Sequence, residues 1–90
     1  MENELRKTLL ETAAAFAKAS GCAVSTVGRR AKKDPNFFNR LADPEISFTA
    51  RTFDEVMRWC ADNWPAAKQM PLSLMKWIAE TGHQPAQVSA

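Results

Sequence analysis

Apolar residues recur at helical spacing along most of the chain, and the punctuation between the recurrences divides it into five helical stretches. Leu5, Leu9, Ala13, Phe16 and Ala17 predict a first helix over residues 4–20, with Gly21 a natural residue to end it in the left-handed conformation. Val27 and Ala31, one turn apart, predict a second helix over 25–32, capped by Ser25 or Thr26, with Val24 tucked beneath it. Asp34 followed by Pro35 is a helix start: an acceptor at the N-cap, then a ring that pre-sets φ and has no N–H to leave unpaired. The third helix, 35–42, directs Phe38, Leu41 and Ala42 to one side and Asn36, Asn39, Arg40 and Asp43 to the other.

Asp43-Pro44 closes that helix, and Ile46 and Phe48 are expected to anchor the following loop. Thr52 and Glu55 fit a capping box for a fourth helix over 52–63, although Thr49 is an earlier candidate cap that would place Arg51 in the first turn. Phe53, Val56, Met57, Cys60 and Trp64 form its apolar stripe, with Asp54, Arg58 and Asp62 outward, and Pro65 stops it. A linker from Pro65 to Pro71 leads to a short helix over Leu72 to Glu80, and residues 83–90 are expected to be disordered. The fold class is therefore all-α, one compact domain of four or five helices: a core unit over 1–64, then a linker and short helix over 65–82.

Charge changes the picture at one place. Between Ser25 and Ala42 lie Arg29, Arg30, Lys32, Lys33 and Arg40, opposed only by Asp34, whereas the chain as a whole carries a formal net charge of +2. A local excess of cations on a two-helix unit is the footprint of a surface that neutralises phosphates, although a charge run is more often a solvated face. Arg6, Lys7 and Lys18 on the first helix read as solvated.

The run V-G-R-R-A-K-K-D-P-N-F-F-N-R-L resembles the helix-turn-helix of small phage-repressor-like regulators, the lambda repressor and Cro (XRE-type) family. Val27, Gly28 and Ala31 stand where that pattern has its first-helix residues, Asp34 where it caps the recognition helix, and Phe38, Arg40 and Leu41 inside it. Two positions depart from it: Lys32 stands where the family usually carries a turn glycine, and Gly28 where it has alanine, so a differently formed turn is expected. The resemblance covers roughly Leu5 to Trp64.

It implies a lambda-repressor-like fold and a sequence-specific, double-stranded DNA-binding transcription regulator, bacterial or phage, with residues 35–42 in the major groove. Base contacts would fall to Asn36, Asn39 and Arg40, with Pro35 at the groove, and to Phe37 if it meets a thymine methyl rather than packing in the core. Phosphate contacts would fall to Ser25, Thr26, Arg29, Arg30, Lys32, Lys33 and Arg51. A domain this small reads few base pairs, so a homodimer is expected, its interface drawn from Trp64, Leu72, Leu74, Met75, Trp77 and Ile78. The alternative for the last helix is that it only caps the core.

Other chemistry finds little support. Cys22 and Cys60 share no motif with each other or with His83, so they read as small core residues, and no zinc site, cofactor site or catalytic dyad is expected. An enzyme is not expected. The opening residues lack a basic segment followed by an apolar run, and no stretch approaches a membrane span, which points to the cytoplasm and away from membranes. Two competing functions remain: an adaptor that binds a protein through the region of Trp59, Trp64 and Trp77, and an antitoxin-like repressor that holds a partner with its C-terminal segment.

Overall fold

The computed structural model describes residues 2–65 and 68–83, which form five α-helices and, among the described residues, no strand. They are α1 (Glu2–Ser20), α2 (Val24–Lys32), α3 (Phe37–Leu41), α4 (Ala50–Asn63) and α5 (Leu72–Thr81). The radius of gyration is 12.3 Å, against about 12 Å for a compact chain of this length.

The core is the meeting of the apolar stripes. Leu9, Ala13, Phe16 and Ala17 of α1, Val27 of α2, Phe38 and Leu41 of α3, and Phe53, Val56, Met57, Cys60 and Ala61 of α4 are all buried. Trp64, Leu74 and Trp77 complete the same cluster. The Phe16 ring stands at its centre, 4.9 Å from Trp59 and 5.4 Å from Trp64, the latter edge-on. α1 is in contact with each of the other four helices, so it is the element against which they are positioned.

Helix boundaries differ from expectation where caps compete. α4 begins at Ala50, not Thr52: the Thr49 side chain accepts from the Thr52 N–H at 3.1 Å, and Glu55 turns away to Lys32 and Arg51 instead of closing a capping box. α2 starts after Ala23 with no side-chain cap, which puts Ser25 and Thr26 inside its first turn and leaves Val24 exposed rather than tucked beneath. Ile46 is exposed too; the loop between α3 and α4 is anchored through its backbone, as described below.

The apolar surface of α5 is divided between core and solvent. Leu74 and Trp77 face inward, with the Trp77 indole N–H donating to Asp54 at 3.2 Å, and Ile78 is half-buried. The expectation that Trp64, Leu74 and Trp77 meet a second copy is thereby corrected: they close the core of their own chain, and Leu72 and Met75 are the apolar residues left outside. Of the tail expected to be disordered, residues 84–90 lie outside the described residues, whereas His83 is held by Asp62 at 2.8 Å and lies against Trp77.

Candidate nucleic-acid interface

The basic unit is α2, α3 and the turn between them, and its geometry follows from one glycine. Gly28 is buried in α2, and the backbone carbonyl of Asp34 passes so close that a Cβ at position 28 would stand 2.7 Å from it. Phe38 and Phe37 close the same spot, at 3.4 and 3.5 Å. Without a side chain there, the turn folds back tightly onto α2 and seats α3 against it.

The turn is made by Lys33, which sits in the left-handed region at φ 57° and ends α2, while the Asp34 N–H reaches back to the Gly28 carbonyl at 3.3 Å. The residue expected at that turn, Lys32, is instead the last helical one. A lysine in this conformation costs on the order of 1 kcal/mol relative to glycine. Asp34 then opens the next element: its carboxylate accepts from the Asn36 N–H at 3.0 Å, and its carbonyl from the Phe37 N–H at 3.1 Å. The expected cap is present, but Pro35 and Asn36 form a turn ahead of regular helix, so α3 is five residues long and begins at Phe37 rather than Pro35.

Such a short helix needs holding, and a residue outside the basic unit holds it. Arg6 of α1 is 6 % exposed. Its Nη1 donates to the carbonyls of Leu41 and Asp43 at 2.8 and 2.9 Å, and its Nη2 to that of Ile46 at 2.7 Å. The guanidinium also lies 5.4 Å from the Phe48 ring centre. One cation thus collects the free carbonyls at the end of α3 and pins the loop beyond it. Arg6 reads as solvated from its type, but the sequence held the contrary signal: Arg6, Leu9, Ala13 and Phe16 follow one another at spacings of three, four and three, on the buried stripe.

Among the expected base readers, Pro35, Asn36 and Asn39 are exposed. Phe37 is half-buried and packs edge-on against Phe38 at 4.9 Å, which favours packing over a free ring. Arg40 is exposed but turns back to form an ion pair with the Asp34 carboxylate. The Arg40 guanidinium, assisted by the Asn36 N–H, holds the Asp34 carboxyl below its ordinary value against a smaller opposing effect of burial.

The expected phosphate contacts divide in two. Arg29, Arg30 and Lys33 are exposed, and none forms an ion pair with a described residue; Ser25 is exposed beside them and Thr26 half-buried. Lys32 pairs with Glu55 at 3.1 Å, and Arg51, almost fully exposed, lies 3.9 Å from the same carboxylate. A cleft of about 370 Å³ is lined by Lys32, Phe37, Arg40, Phe48 and Thr49.

Elsewhere the chain offers little reactive chemistry. Cys60 is buried, which pushes its thiol up to about 12, and Cys22 is half-buried; both are free. Among the described residues no group of three or more His, Cys, Asp or Glu is placed to hold a metal ion, and no helix is long and apolar enough to cross a membrane. Comparison of the chain with known protein families, with curated proteins and with solved structures finds no match in any of the three.

Proposed function

We propose that the chain is a sequence-specific double-stranded DNA-binding transcription regulator built on a phage-repressor-like helix-turn-helix, and that it acts as a homodimer. The observation that carries this is the α2–α3 unit: a glycine-seated turn, a short second helix with Asn39 exposed on it and Asn36 exposed at its head, and three cations, paired with no described residue, on the helix and turn before it. α3 enters the major groove, where the amides of Asn36 and Asn39 pair with adenine edges. Arg29, Arg30 and Lys33 grip phosphate and supply affinity that is blind to sequence.

Leu72 and Met75, at 80 % and 46 % exposure, are the surface on which a second copy would sit. An adaptor working through its tryptophans is less well supported, because Trp64 and Trp77 are buried and Trp59 is half-buried against Phe16.

The test is selection from a pool of random duplexes at moderate salt, with sequencing of the bound fraction. A two-fold symmetric motif, half-sites about ten base pairs apart, is the expected result; weak binding without preference would overturn the proposal.

A further inference from the structure

We infer that Asp34 is a specificity-determining residue, which holds Arg40 away from phosphate and leaves it free only for a base edge. The inference rests on the proposed DNA-binding reading and adds a role for the one acidic residue of the basic unit.

Among the basic residues expected at DNA, Arg29, Arg30 and Lys33 carry uncompensated charge, and Lys32 and Arg51 share Glu55. Arg40 alone is neutralised by a carboxylate of the α2–α3 unit itself. Asp34 is fixed for that task. Its Oδ1 accepts from the Asn36 N–H, so the carboxylate is immobilised at the head of α3, and the other oxygen, Oδ2, takes Nη2 of Arg40 six residues on. The proton equilibrium agrees with the geometry, since the Arg40 contact favours the charged carboxylate.

The energetics of the two modes of binding then differ. Against a phosphate the Arg40–Asp34 pair gains little either way: Arg40 exchanges one anion for another and leaves the carboxylate unpaired, or it keeps Asp34 and carries that negative charge up to a polyanion. No counterion is released by a cation that is already neutralised, so Arg40 adds little to sequence-independent affinity. A guanidinium has five donors, however, and the contact with Asp34 takes one N–H of Nη2. The second Nη2 N–H, paired with a neighbouring donor on Nη1 or Nε, makes the fork for guanine O6 and N7 with the Asp34 contact kept, and in that complex the carboxylate fixes the plane of the fork. Asp34 thus subtracts from random binding and leaves matched binding intact, which is how a repulsive element sharpens discrimination.

Asp34→Asn tests this, because asparagine keeps an oxygen for the Asn36 N–H and removes the charge and the acceptor that face Arg40. The duplex selected from the random pool and a scrambled duplex are titrated with wild type, Asp34→Asn, Arg40→Ala and the double variant, at several salt concentrations, with thermal unfolding as the folding control. Asp34→Asn is expected to bind the scrambled duplex about two- to fivefold more tightly, the scale of one exposed ion pair released. Its salt slope there should steepen by about 0.9 per subunit, and its preference for the selected duplex should fall. In the Arg40→Ala background the same substitution should change none of these.

If Asp34→Asn leaves scrambled-duplex affinity and salt slope unchanged, or if its effect persists without Arg40, the inference fails while the DNA-binding reading stands. If wild type selects no duplex, both fail together.

Discussion

At position 28 two opposing effects meet, and their sizes decide the outcome. Alanine in mid-helix is favoured over glycine by about 1 kcal/mol, yet its methyl group would meet the Asp34 carbonyl at 2.7 Å, a backbone atom in a turn with no room to yield. Gly28→Ala is therefore expected to lower stability by about 1–3 kcal/mol, read from urea unfolding, and to loosen the placement of α3. Lys33→Gly acts in the opposite sense on the fold. Relief of the left-handed lysine should raise stability by up to about 1 kcal/mol while weakening binding to all duplexes alike, since the proposed phosphate contact is lost. The two cysteines differ just as sharply. With its thiol pushed up to about 12, Cys60 stays protonated in the fold, whereas Cys22 is half-buried. Iodoacetamide at pH 8 should modify Cys22 alone in the native protein and both in urea. Because the folded Cys60 value lies above the unfolded one, its contribution to stability is intact below pH 9.0 and lost as pH rises from there to about 12.

At the level of single helices the ends decide the geometry, and there rival caps stand close together. α4 can be opened by Thr49 or by Thr52, both threonines with a suitable partner three residues on. The structure uses Thr49, because Glu55 is drawn to Lys32 and Arg51 across the α2–α4 contact. Thr49→Ala should accordingly cost about 1 kcal/mol in a thermal melt, and Glu55→Gln should leave helix capping untouched. The apolar stripes of α1 and α4 were plain in the sequence because each repeats over several turns, and Phe38 and Leu41 were fixed by the Asp34-Pro35 start. What could not be read was any choice made by a distant partner. Val24 and Ile46 look like anchors by type, yet both are exposed; at Ile46 the loop after α3 is tied down instead through carbonyls that no side-chain pattern reveals. The proposed roles of Asn36 and Asn39 rest on chemical type and exposure together. The pairing of Arg40 with Asp34, six residues apart across a turn, had no periodic signal to announce it.

Over the whole molecule, the charge map and the exposed part of α5 set what an assembly would do. The three cations of α2 and its turn that pair with no described residue, Arg29, Arg30 and Lys33, correspond in the proposed DNA complex to a salt slope of about −3 per subunit on random DNA, measurable by titration across 50 to 200 mM salt. In the proposed homodimer, Met75→Glu together with Leu72→Glu should halve the sedimenting mass while the separated chain keeps its helical circular dichroism, since both side chains are exposed in the single chain; an unchanged mass would overturn the assignment of that surface. Arg6→Met, by contrast, removes the donors for carbonyls of Leu41, Asp43 and Ile46 and should cost about 3 kcal/mol or more. That arginine's grip has one further consequence. It takes hold of main-chain oxygens, which every amino acid supplies, and is therefore indifferent to which side chains α3 displays. The exposed positions 36 and 39 can be rewritten without disturbing the mount, so that in the proposed DNA complex the scaffold behaves as a fixed handle with an interchangeable key, open to re-coding by substitution at those sites.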